Sequence, residues 1–504
     1  MGGVRAIVGA PWFGGGVVAV VLAAGCAPDL AIGATTGESS GGGGGGGASS
    51  MVGGGGAGGA DGGGGSGGTS GTTTGGGGTG GSGGGPASGT VRWAERIPVA
   101  GSQVGTGIAV DSLGRARTSF DTVTDGASLV SAGVFTFVDD PGGDHVEENT
   151  TFLQGDGPHS SRAVAIDSSD NVVVVGALFG TTEDDVNDPM YAVSAGGSDC
   201  LVVKGKLGLT WARALGGTGF SECVGVVIGA SAEIFVAGTF SGAMDAEGMP
   251  VTSEGGEDVF VARYSTNGAL LETWTYGDEY RQSARAAGRD AAGNVYVLAE
   301  EEGEGINGGA DIVLLKLDPS TGTMTPRHFP NPGYERAMAL WVGPDGSFAM
   351  AGGFNGSVDL GGEVLGHDTL NERRFVARFD ANGGHLMSRG LFSDDTLEVP
   401  GLVVDAEGNT FVGGTFNYTF ELDGVSHSSG GGSTDAFVVK LGPTGDVVWL
   451  RELKGPLDDG IGAMALTPGG NLAVAGHTAE LSDLDGWSIY ASDEGDHFAL
   501  EMVP

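Results

Sequence analysis

From Gly107 onward one phrase recurs seven times, and a recurrence of that length dictates how the chain can fold. Each copy is a run of small and aliphatic residues, usually an Asp, a two-residue turn signal, and a second apolar run that mostly closes on Gly. The copies read GIAVDSLGRARTSF, AVAIDSSDNVVVVG, GVVIGASAEIFVAG, AAGRDAAGNVYVLA, ALWVGPDGSFAMAG, GLVVDAEGNTFVGG and AMALTPGGNLAVAG. Their turn positions are Gly114, Asp170, Ala232, Gly293, Gly346, Gly408 and Gly470, separated by 56, 62, 61, 53, 62 and 62 residues. A sustained period of this size marks a solenoid, a propeller or a domain array.

Two more phrases fill each period. One reads SDCLVVKGK from Ser198, EDVFVARYS from Glu257, ADIVLLKLD from Ala310, RRFVARFDA from Arg373, TDAFVVKLG from Thr434 and DHFALEMV from Asp496, with a degenerate VFTFVDD from Val134. The other carries a Trp: LTWARALGG, LETWTYGDE and VVWLRELKG. A full unit therefore holds four apolar runs of strand length, broken by Gly, Asp, Asn and Ser, with no helical period. Period-two alternation and tight-turn breaks predict all-β antiparallel units, and four-stranded sheets repeated about an axis make a β-propeller. Thr90–Ile97 is a Trp-phrase strand lacking the strand before it, and Asp496–Pro504 a second-phrase strand lacking the one after it. Joined in one blade, they would close a ring of seven four-stranded blades over residues 90–504 and leave no open edges.

These units resemble the short bacterial β-propeller repeat family (SBBP), with its D-x-F-V-x-K strand, W strand and A-x-D-x-x-G-N-x-Y-V-x-G hairpin. Thr434–Gly476 follows that order most closely, through Asp435, Phe437, Lys440, Trp449 and Asn471. The likeness spans 90–504 and is weakest in the first repeat, at Arg115–Thr118, and in the third, where Gly229 replaces Asp. What it implies is the fold and an exported bacterial protein; it implies little about activity.

The N-terminus points to export. Arg5 is the only charge before Asp29, and the apolar stretch from Val17 ends in small residues at Gly25-Cys26. Residues 1–25 read as a signal peptide of lipoprotein type. Leu22-Ala-Ala-Gly25-Cys26 resembles a lipobox, with Ala23 standing where that motif prefers Leu, which makes Cys26 the expected lipidation site. A plain secretory signal cut near Ala24 is the other reading. Residues 26–89 form a Gly/Ser/Thr-rich linker, including seven consecutive glycines at Gly41–Gly47, with almost nothing to bury. As a flexible coil of about 60 residues it would span roughly 40–45 Å. The expected location is the cell envelope, lipid-anchored at the outer membrane or cell surface. A formal charge of −40 argues against nucleic acid and anionic head groups as partners. Cys200 and Cys223 either pair, as export permits, or stay as buried thiols.

Repetition also separates scaffold from site. Asp111, Asp167, Asp290 and Asp405 recur before the tight turn, where a carboxylate accepts hydrogen bonds from turn amides; no calcium-loop spacing surrounds them. Asp199, Asp258, Asp311 and Asp435, with Lys204, Arg263, Lys316 and Lys440 five residues on, recur too regularly to be catalytic. Trp93, Trp211, Trp274 and Trp449 are outer-strand anchors. A local function should lie where the pattern breaks. Trp341 is the single large residue in a column that otherwise reads Ala109, Ala165, Val227, Gly288, Val403 and Ala465 on the expected innermost strand. It would plug or line the axis, either as filler or as a stacking surface for a ligand. Arg289 interrupts a column of aliphatics and requires a partner, with Asp290 or the Glu300–Glu304 run as candidates. Scattered histidines give no zinc spacing, and nothing in the chain calls for a cofactor.

The expected function is a non-enzymatic, monomeric binding or scaffolding module for a protein or glycan partner. The alternative is a propeller enzyme, a polysaccharide lyase or glycoside hydrolase with its site at the channel mouth. Two or more off-pattern ionisable residues within hydrogen-bond reach at one channel mouth would favour the enzyme, and a bare channel lined by Ala and Gly would leave only the binding module. Long acidic loops at 181–188, 242–258 and 356–371 would serve either recognition or solubility.

Overall fold

The structure, a computed structural model, describes residues 87–504 except 98–101, 125–127, 140–144, 152–158, 183–190, 206–208, 247, 304–308, 367–372, 394, 430–432, 480, 485–486 and 491–495, together with the backbone of Val18–Ala19. The rest of the signal segment, Cys26 and the linker through Pro86 lie outside the described residues. Every regular element among the described residues is a β-strand.

One order repeats through the sheets: an innermost strand, its hairpin partner, a third strand and an outer strand, all antiparallel. It is seen alone in Ser102–Val110 with Ala116–Thr124, Ser128–Asp139 and His145–Thr151, and in Gln282–Arg289 with Val295–Glu302, Ala310–Asp318 and Thr323–Phe329. Leu397–Val404, Thr410–Asn417, Thr434–Leu441 and Val447–Leu453 repeat it. Two larger sheets contain the same order. The units beginning at His159 and Ser221 merge because Gly216 and Gly217 pair with Asp245 and Met244. The unit beginning at Glu335 is extended because Phe392 and Ser393 pair with Glu421 and Phe420 of the following unit.

The middle strands are buried on both faces; Val172–Leu178 is buried at every position. Their side chains pack between neighbouring sheets, in clusters such as the one uniting Leu340, Val342 and Phe348 with Val297, Leu298 and Leu315. Each innermost strand neighbours the next, and the last, Gly460–Leu466, neighbours the first, Ser102–Val110. Val18–Ala19 pairs in parallel with Ala339–Leu340 and neighbours all of these innermost strands, which therefore surround a common axis. Such radial four-stranded meanders are the arrangement of a β-propeller.

The hairpin phrase has a conformational cause. All its turn positions adopt left-handed φ: 85° at Gly114, 63° at Asp170, 63° at Ala232, 96° at Gly293, 86° at Gly346, 82° at Gly408 and 83° at Gly470. Glycine occupies most of them because only glycine does so without steric cost.

The two ends of the described chain share a sheet. Val91–Ile97 runs antiparallel to Asp496–Met502, with Trp93 opposite Glu501 and Arg96 opposite Phe498. Ala87–Gly89 takes the place that a third-to-fourth turn holds in other units. Gly89 has φ 82°, like Gly268 at 78° and Gly383 at 78°, and its N–H donates to the Val503 carbonyl at 2.7 Å. Arg451 Nε donates to the Gly89 carbonyl at 3.1 Å, as Arg213 Nε does to that of Gly268 at 3.0 Å.

Candidate functional site

The recurring charges prove to be partners. Asp167 binds Lys204 at 2.9 Å, and Asp290–Lys316 and Asp405–Lys440 approach to 3.9 Å. The same Asp residues accept the turn amides: Asp167 Oδ1 from Ser169 and Asn171 at 2.8 and 3.0 Å, Asp290 from Asn294 at 2.8 Å, Asp405 from Asn409 at 2.7 Å. Where the Asp is absent, the Lys is absent too. Gly229 goes with Arg263, which turns to Glu272 at 3.1 Å; Thr467 goes with Glu501, which accepts from Asn471 at 2.6 Å. Burial pushes the Asp167 carboxyl up, but the Lys204 ammonium, the Asn171 side chain and the turn amides together hold it below its ordinary value.

A second layer of bonds joins neighbouring units at the innermost strands. Nearly every innermost strand carries a bulge three to five residues from its start, as between Ser161 and Ala163, Ala284 and Ala286, and Ala337 and Ala339. A bulge leaves an amide outside its own ladder. The preceding unit supplies the acceptor from its second strand: Asp121 Oδ1 takes Ser161 N–H at 2.7 Å, Thr239 Oγ1 takes Ala284 N–H at 2.9 Å, and Glu300 Oε1 takes Ala337 N–H at 3.0 Å. Desolvation pushes the Asp121 carboxyl up to about 6 despite its bonds to Ser161.

The off-pattern charges collect in this layer. Arg285, the residue added by its bulge, binds Glu300 at 2.7 Å. Arg336 and Arg374 each reach Glu398 Oε1 at 3.2 Å, bridging the next pair of units. Glu222 and Tyr334 lie close enough to Arg285 to raise its pKa, after the larger opposing effect of burial and the gain from Glu300. Sequence reasoning missed this cluster. Its signal was available: Glu222, Arg285, Arg336 and Glu398 stand in innermost-strand segments that elsewhere, apart from Arg162, Arg289 and Glu335, carry small or neutral residues.

Two joints carry a pair of acids, Asp311 with Glu335 and Asp435 with Asp459. Glu335, the first residue of its innermost strand, is fully buried, and Asp311 of the preceding unit is 6% exposed. Burial and the neighbouring Asp311 raise the Glu335 pKa to about 8, which keeps it protonated near neutrality. At two further joints, Asp199 faces the unit that begins with Ser221, and Asp258 the unit that begins with Gln282, both neutral residues.

The residues singled out by pattern are not brought together. Trp341 stands on an innermost strand opposite Ala349 and is 7% exposed. It shares a buried cluster with Ala339 and with Leu402 and Val403 of the following unit. Arg289 looks the other way, donating to the Ile228 carbonyl of the preceding unit at 3.1 Å. The acids expected to hold it are engaged elsewhere: Asp290 with Asn294, Tyr296 and Lys316, Glu300 with Arg285. Cys26 lies outside the described residues. Cys200 and Cys223 are disulfide-bonded, joining a third strand to the innermost strand of the next unit. Among the described residues, no three His, Cys, Asp or Glu side chains are grouped to hold a metal ion. Burial holds His497 neutral, with its pKa pushed down to about 3, and its ring stacks on Phe120 at 5.9 Å.

No protein-family model matches the chain, and neither does any curated protein sequence. Among solved structures it is similar to the Kuenenia stuttgartiensis hydrazine synthase, at 11% identity over 73% of this chain and 91% of that one, with a TM-score of 0.43. The β-propeller domain of the trilobed protease from Pyrococcus furiosus aligns at 7% identity over 80% and 97%, TM-score 0.40. A protein of unknown function from Dyadobacter fermentans aligns at 10% identity over 82% and 99%, also with a TM-score of 0.40. At these scores the fold rests on the strand topology itself.

Proposed function

We propose that the chain is a seven-bladed propeller whose first and last strands share a blade, carried as a lipid-anchored, non-enzymatic binding module for a protein or glycan partner. Ring closure is supported by the pairing of Val91–Ile97 with Asp496–Met502 and by the Phe120–His497 stack, which joins the first unit to the last. The SBBP resemblance, the lipobox and the long Gly-rich linker supply the envelope anchor. One observation carries the binding reading: the charges of the innermost strands are spent on one another and on backbone amides across blade joints. That makes the ring a stiff frame, whereas the connections between second and third strands differ in length and project apolar side chains into solvent. Loops on a rigid scaffold are where recognition resides. Replacing Cys26 with Ala should move the protein from the membrane to the soluble fraction. Unchanged sedimentation would remove the anchor from the proposal.

The second reading, an enzyme acting on polysaccharide, draws on two off-pattern ion pairs, Arg285 with Glu300 and Arg336 with Glu398, at successive joints. Glycosidases work with paired carboxyl groups, one of them held protonated. Depolymerisation of a polysaccharide by the full chain, abolished by Glu300→Gln or Glu398→Gln without loss of folding, would establish it over the binding module.

A further inference from the structure

We infer that the face built by the second-to-third strand connections docks a cationic, amphipathic polypeptide. This rests on the binding-module reading and names its partner. In an antiparallel meander every such connection leaves from the same end of its blade, so these segments share one face of the ring. Among the described residues, six of the eleven large apolar side chains with high exposure lie on them: Phe179 at 41%, Val193 at 46%, Met249 at 43%, Val364 at 55%, Tyr418 at 59% and Val425 at 56%.

Several described parts of these segments are tied to the blades. Thr419–Leu422 and Val425–Ser428 form a hairpin that pairs through Phe420 and Glu421 with the outer strand of the preceding unit. The hairpin holding Met249 does the same through Met244 and Asp245. Asp359 N–H donates to Asn331 Oδ1, tying a third connection to its neighbour at 2.7 Å. Tyr418 is held at φ 59°, a conformation costly for an aromatic residue, and displays its ring there.

Charge selects the occupant. The described residues of segments 179–198, 241–257, 355–372 and 418–433 include seven Asp and Glu and no Lys or Arg. Arg281 and Arg389, which stand outside these segments, each pair with one acid on them, Glu257 and Asp423, and Lys454 donates to the Ser428 carbonyl, whereas Arg213, Arg327 and Arg451 bond to third-to-fourth turns at the other end of the strands. Such a face repels polyanions, while a neutral glycan has no use for Met249, Val364 and Val425. A chain alternating basic and apolar residues satisfies both halves of the surface.

The test uses the full chain and two synthetic peptides of equal charge, one alternating Lys and Leu, the other Lys and Gly, followed by fluorescence anisotropy. The Lys/Leu peptide should bind about tenfold more tightly, the equivalent of burying one or two apolar side chains. The paired substitution Tyr418→Asn with Val425→Ser should remove most of that preference, as should Met249→Ser in a different hairpin. Leu386→Ser, on an outer strand, should leave it intact. Equal binding of the two peptides would overturn the inference, as would an equal loss from Leu386→Ser. A glycan array that gives binding while the peptides are not distinguished would preserve the binding module and remove this partner.

Discussion

At the scale of single residues, repetition lets one unit serve as a control for another. Every hairpin turn holds a left-handed residue, and Ala232 accepts that conformation with a Cβ. Ala232→Gly should therefore raise stability by about 1 kcal/mol in chemical denaturation, since the left-handed state costs an L-residue about that much. Lys204 tests the buried ion pair. It and Asp167 have side chains only 6% and 3% exposed, so Lys204→Met should leave an unpaired buried carboxylate and cost about 3–5 kcal/mol. Lys316, with a side chain 43% exposed and lying over Tyr296, should cost far less by the same measurement. Both Asp and Lys were legible as blade-serving residues because they recur. Their pairing was not, since strands far apart in sequence meet only once the sheet register is known. The partner of Arg289 escaped for a related reason: a backbone carbonyl leaves no mark in a side-chain pattern.

At the scale of strands, the joints between units decide what the sequence conceals. A bulge inserts one residue and reverses the alternation of faces beyond it. Glu335 and Val342 consequently face the same neighbour despite their odd spacing, while Arg336 and Trp341 face the other. Period-two reading thus located the strands but not the acceptors Asp121, Thr239 and Glu300 that serve the bulges. The joint containing Asp311 and Glu335 gives a pH prediction. The folded state holds the Glu335 proton up to about pH 8, whereas the unfolded chain releases it near an ordinary Glu value. Stability from this group is then complete below that ordinary value and lost as pH rises through about 8. Glu335→Gln should flatten this decline, read as melting temperature across pH 5 to 9; identical profiles for the two proteins would refute it.

At the scale of the whole molecule, each joint between sheets is a place where the assembly can open. The Cys200–Cys223 bond staples one such joint across a separation of 23 residues. Cys223→Ser should lower stability by about 3 kcal/mol on the loop-entropy estimate. Amide exchange should rise first along Ser221–Ile228 and Asp199–Gly205. The sequence left this pair open because cysteines on different repeats reveal no proximity. The pairing of Val91–Ile97 with Asp496–Met502 was legible, because each of those segments supplied a phrase that the other lacked.

The counterfeit turn formed by Ala87–Gly89 fixes where the leading segment departs. Third-to-fourth turns sit at the opposite end of the strands from the long apolar-studded loops. A chain entering at residue 87 therefore meets the blades at the end that those loops do not occupy.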